Sequence, residues 1–201
     1  MTCQSYTPNY FAINDILCTE ERICCKIEVE LVGLGFLDPS AQFKNLNVGL
    51  KVEFPLWLAE SLKNLQEPVI SVEIPEIYKE GYREILEADA DAILLSKWNL
   101  HFYELGMHVR KFNDRDSEQI TESLLQTFKF RFRLVMDWAQ NPVSDPTWGD
   151  QLPRLERDLF LCGKKAKTRL LEWLKMGING ILPSEITANL KKRKRADYEM
   201  E

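Results

Sequence analysis

Residues 123–140 read SLLQTFKFRFRLVMDWAQ, and how this stretch buries its apolar groups decides the fold. At about 100° per residue in an α-helix, Leu124, Leu125, Phe128, Phe132, Val135, Met136 and Ala139 fall within one arc. Phe130, Leu134 and Trp138 form a second arc on nearly the opposite side. Lys129, Arg133 and Asp137 fill the strip on one flank between the arcs, and Arg131 sits on the other flank. A bundle buries one arc only. The second would leave large side chains in water, although burying each is worth roughly 1.5–3 kcal/mol. Either the chain packs this helix on both sides, or a partner supplies the second cover. The remaining elements offer few layers for a sandwich, which favours the partner.

Working outward, DSEQITESLL supplies capping chemistry near Asp116 or Ser117 at the start of this helix, and Asn141-Pro142 ends it. A further helix is expected from about Pro153 to Met176, with Leu155, Leu159, Cys162, Ala166, Leu170, Trp173 and Leu174 as its apolar stripe and Gly177 as its stop. Upstream, EIYKEGYREIL places Ile77, Tyr78, Tyr82, Ile85 and Leu86 on one helical face, and residues 89–112 repeat the habit through Ile93, Leu94, Trp98, Leu100, Tyr103, Leu105 and His108. Four helices imply a bundle. Before Pro75 the period changes to two: RICCKIEVEL (22–31) alternates as a half-buried strand, LKVEF (50–54) and VISVEI (69–74) are strand-like, and Pro55 suits the first position of a short helix, LWLAESLKNL. The expected fold is α+β and mainly α, with a small β-rich domain at 1–74, a helical domain at 75–178, and a C-terminal segment at 179–201.

The composition, 45% hydrophobic and 28% charged, is that of a folded protein with a real core. The opening MTCQSYTPNY has no basic start and no apolar run, and the longest apolar stretch, near LVGLGFL (31–37), is too short to span a bilayer. These features predict a cytosolic or nuclear protein. The formal net charge is −5, yet residues 191–195 are KKRKR; with that run and the last three acids set aside, residues 1–190 hold 21 basic against 28 acidic residues. A body of that sign repels phosphate backbones. KKRKR itself suits a nuclear import signal, and a solvated helix end and a nucleic-acid arm are the alternatives. Five scattered cysteines (Cys3, Cys18, Cys24, Cys25, Cys162) without CxxC spacing are expected to be reduced structural thiols.

Catalytic signatures are thin. His101 and His108 lack a partner at metal-ligand spacing, GLGF (33–36) has Asp38 where a dinucleotide fingerprint needs its third glycine, and Asp89 and Asp91 lie in turn-like surroundings. Lys164, Lys165, Lys167 and Arg169 form a basic cluster that fits a solvated face.

Several stretches together resemble one family. FPLWLAESL (54–62), ISVEIPEIYKEGYREIL (70–86), HFYELG (101–106), SLLQTFKFRFRLVMD (123–137) and KKRKRADYE (191–199) are similar, in this order, to the third subunit of the GINS complex, a heterotetramer of eukaryotic DNA replication. The resemblance implies a β-rich domain preceding a helical one, no catalysis and no cofactor or metal. It implies three other GINS subunits as partners, packed through long helices, and an assembly with the MCM ring and the cell-division-cycle-45 protein that forms the replicative helicase. Nucleic-acid contact would be indirect at most, and no membrane is involved. The expected subunit interface is Leu124, Leu125, Phe128, Phe130, Phe132, Leu134, Met136 and Trp138, and the expected nuclear import signal is Lys191, Lys192, Arg193, Lys194 and Arg195.

Overall fold

The computed structural model describes residues 11–38, 44–65, 67–112, 116–141 and 146–176. Helix α1 (Ile13–Thr19) leads into strand β1 (Arg22–Ile27), whose side chains alternate between core and solvent as the period-two sequence requires. Ile23, Cys25 and Ile27 are inside. Strand β1 lies between β2 (Lys51–Pro55) and β3 (Ile70–Val72), antiparallel to both, with Ile23 opposite Phe54 and Ile27 opposite Ile70. The strand is shorter than its alternation suggests: past Ile27 the described residues show the Glu28 amide donating to the Val69 carbonyl and an isolated bridge from Leu31 to Leu46, and Val29 is half exposed.

Pro55 closes β2 and occupies the residue before α2 (Leu56–Lys63), one position earlier than expected, because its ψ of 146° is extended rather than helical. Leu56 and Ala59 turn the inner face of α2 onto the sheet, completely buried. Helix α3 (Glu80–Asp89) follows, after a 3-10 turn at Glu76–Tyr78. Residues 89–112 hold two short helices instead of one. Asn99, in extended conformation, separates α4 (Leu95–Trp98) from α5 (Phe102–Val109), and its side chain accepts the His101 amide at 2.6 Å.

Two long helices complete the described fold: α6 (Ser117–Gln140) and α7 (Arg154–Met176), where sustained periodicity predicts them; the capping bond expected at the start of α6 is not formed by the Asp116 side chain. They lie side by side and run the same way. Arg131 of α6 meets Glu156 of α7, and about two turns further along both, Ala139 meets Gly163. A Cβ on Gly163 would lie 2.9 Å from that of Ala139, so the helices touch there only because position 163 has no side chain. Since α7 starts beside the middle of α6, it continues well past the end of its neighbour. At 1.5 Å per residue, the overhang beyond Gln140 is about 18 Å.

One apolar cluster runs from Cys18 through the sheet to Leu86, Phe102, Ile120 and Leu124; a smaller one gathers Val135, Ala139, Leu152 and Phe160 where α6 meets α7. Among the described residues, no helix is long and apolar enough to cross a membrane.

Candidate subunit interface

The inner face of α6 is Ile120, Ser123, Leu124, Thr127, Arg131, Val135 and Ala139, all buried. Its centre is therefore Arg131, the residue placed by sequence on a flank between two apolar arcs. Arg131 is 3% exposed and Glu156 only 1%. The guanidinium donates to both carboxylate oxygens of Glu156, Nε to Oε1 at 2.8 Å and Nη2 to Oε2 at 3.0 Å, while Nη1 donates to the carbonyls of Ala90 at 2.6 Å and Ile93 at 2.8 Å. The Tyr103 hydroxyl donates to Glu156 Oε1 at 2.6 Å. Every charge in the cluster has a partner, as burial demands. Burial opposes the cationic form of Arg131, but the bonds from Glu156 outweigh it and the pKa stays raised; burial, then Glu156, drives that of Tyr103 up. No sequence pattern named Arg131, although a lone cation bracketed by Thr127, Val135 and Leu124 was a legible signal.

With the core centred there, the two apolar arcs become shoulders. Of the residues expected at an interface, Leu124 is inside, 6% exposed, against Gly106, where a Cβ would sit 2.7 Å from a Leu124 methyl. Phe128 is half-buried, edge-on to Tyr103 at 5.8 Å and tilted against Phe132 at 5.7 Å. Leu125 and Phe132 are 54% and 42% exposed and, with half-buried Met136, line one shoulder. Phe130 stands on the other shoulder at 58% exposure, with Leu134 half-buried beside it. Trp138 is half-buried, its ring edge-on to Trp148 at 4.4 Å. The eight residues thus form two separate surfaces and one core contact.

Helix α7 departs further from expectation. Its inward residues are Glu156 and Phe160, with Gly163, Lys164, Lys167 and Leu171 half-buried. The apolar stripe of Leu155, Leu159, Cys162, Ala166, Leu170 and Trp173 is centred about 110° away by helical geometry, and only Leu159 in it is half-buried. Trp173 and Leu174 are 57% and 59% exposed. Because α6 and α7 run in parallel, this stripe and the Leu125, Phe132, Met136 shoulder fall on the same side of the pair. Together they make a two-helix apolar face open to solvent. The sequence supplied the stripe but assigned no outward direction to it.

Other buried polar groups join neighbouring elements. His108 is buried and Nδ1 donates to Glu60 Oε1 at 2.7 Å; that bond holds the Glu60 carboxyl below its ordinary pKa, against the opposing effect of burial. Lys63 Nζ donates to the Phe112 carbonyl, so α2 is tied to the turn that follows α5. His101 is buried with Nδ1 unpartnered, and burial lowers its pKa. Burial pushes the Cys18 and Cys25 thiols up to about 12, and Cys18, Cys24, Cys25 and Cys162 are all free. Among the described residues no group of three His, Cys, Asp or Glu could hold a metal ion. The basic run 191–195 lies outside the described residues, as do Cys3 and Gly177.

The model of the PSF3 N-terminal domain matches residues 11–64, which comprise α1, β1, β2 and α2. Along nearly the whole chain, the DNA replication complex GINS protein PSF3 of Xenopus laevis is 37% identical over 188 residues, covering 92% of this chain and 90% of that protein. The protein of the same name from Homo sapiens is 37% identical over 198 residues, covering 95% and 92%. The one from Phaeosphaeria nodorum is 30% identical over 174 residues, covering 83% and 96%. Likeness of this extent, spanning the sheet, the short helices and both long helices, places the chain in the PSF3 family of DNA replication complex GINS proteins.

Proposed function

We propose that the chain is a non-catalytic structural subunit of a GINS heterotetramer, and that this tetramer joins the MCM ring and the cell-division-cycle-45 protein in the replicative helicase assembly. The observation that carries the reading is the outward apolar face of α6 and α7, which a subunit living alone would not keep. The names of the relatives supply the partners: each is a component of the DNA replication complex GINS. In this reading residues 75–178 are the assembling helical unit and residues 1–74 a β-rich unit carried with it. Leu125, Phe128, Phe132 and Met136 meet one sister subunit together with the α7 stripe. Phe130, Leu134 and Trp138 form a second contact, and Leu124 supports the first from inside. The work of the subunit is burial of apolar area across helices. The location is the nucleus, with Lys191, Lys192, Arg193, Lys194 and Arg195 as the import signal.

Co-expression with the other three GINS subunits tests it. The expected product is a 1:1:1:1 complex by native mass spectrometry, and a chain that stays monodisperse and ignores the three partners would refute the proposal.

A further inference from the structure

Helix α7 keeps Leu155, Cys162, Ala166 and Trp173 toward solvent while turning a glutamate into the core. Apolar area alone argues against this. Rolling the helix by about 110° would place Leu155, Leu159 and Cys162 against α6, in exchange for Phe160 and a buried ion pair. Buried ion pairs are often no more stabilising than well-packed apolar groups of the same size. The roll is opposed by bonds that converge on one carboxylate. Glu156 is held by two bonds from α6 through Arg131 and one from α5 through Tyr103. Arg131 is itself anchored to the Ala90 and Ile93 carbonyls between α3 and α4. Turning α7 would withdraw the carboxylate and strand a buried guanidinium.

We propose that the Arg131–Glu156 pair, seated by Tyr103, is a positioning device that sets the rotation of α7 and so presents its apolar stripe to a partner subunit. This rests on the reading of that stripe as an interface. The pair is a specificity element of the assembly surface, and neither residue belongs to the contact itself. The solvent-facing thiol of Cys162 lies in the stripe and reports its rotation, while Cys25, completely buried in the sheet, reports whether the fold is intact.

The test uses the full chain, translated without cells at nanomolar concentration and without partners, then pulsed with N-ethylmaleimide and mapped by peptide mass. In R131M/E156L, which removes both charges, modification of Cys162 should slow at least tenfold relative to the native chain while Cys25 stays protected. Adding L159K, which puts a charge into the stripe and forbids its burial, should restore the native rate. If Cys162 reacts in R131M/E156L at the native rate with Cys25 protected, the proposal fails. Should the double variant expose Cys25, E156Q carries the test: a slowing of threefold or more supports the device, and an unchanged rate overturns it. Assembly with co-translated GINS partners separates the two claims. Loss of assembly alongside the slowed thiol supports both, whereas unimpaired assembly with a shielded Cys162 leaves the positioning role standing and removes the stripe from the interface.

Discussion

At the scale of single residues, the most exacting position is Glu156. Removing its carboxylate leaves Arg131 charged and 3% exposed with only two backbone carbonyls for company. Glu156→Ala should therefore cost about 3–5 kcal/mol, read from urea unfolding followed by circular dichroism. The glycines make a smaller demand of a different kind. Gly106→Ala would drive a methyl into Leu124 and should cost about 1–3 kcal/mol in the same measurement. Two carboxylates give the unfolding curve opposite dependences on pH. Glu60 is held below its ordinary value of 4.5, so the folded state binds its proton less readily than the unfolded chain does. Its contribution is present above about pH 4.5 and is lost as pH falls through the lower folded value. Glu104, raised by burial, contributes below that pH and loses its contribution as pH rises through its folded value. Between pH 3 and 7, Glu60→Gln should flatten the acid loss of stability and Glu104→Gln should steepen it, measured as the urea midpoint.

At the scale of elements, an outward apolar side chain should matter to the assembly and little to the chain. Phe130→Ser and Trp173→Ser, at sites 58% and 57% exposed, are expected to shift the chain's own stability by no more than about 0.5 kcal/mol. Each should weaken the complex by more than about 1 kcal/mol, measured by subunit exchange at equilibrium. Both long helices and the alternation of β1 were legible because their periods are sustained and their ends carry caps or breakers. The direction of the stripes was not legible. A period says which residues share a face but nothing of what stands opposite, so the sequence supplied the α7 stripe without its outward direction. The core of α6 escaped for a related reason: Arg131 was placed on a flank as a cation, and only Glu156, 25 residues further along the chain, makes its burial tolerable. Asn99 broke a helix whose apolar spacing continued across it, and α1 lies in INDILCT, where no clear period stands out.

At the scale of the whole molecule, the chain alone should associate or precipitate at micromolar concentration, and co-expression with its GINS partners should recover it; size-exclusion chromatography distinguishes the two. Under the proposed function, the surfaces expected to make a poor monomer are the ones an obligate subunit would bury. The length of α7 carries this further. Its last three turns have no neighbouring α6 beside them, and Leu170, Trp173 and Leu174 stand open. A helical piece that short is marginal in water when nothing packs on it. Amide hydrogens of residues 166–176 should accordingly trade for deuterium within seconds in the free chain and slow by orders of magnitude once neighbours arrive. In the proposed assembly, joining the complex would complete the folding of this arm, and the entropy lost in stiffening it would set a toll that a mismatched neighbour cannot meet.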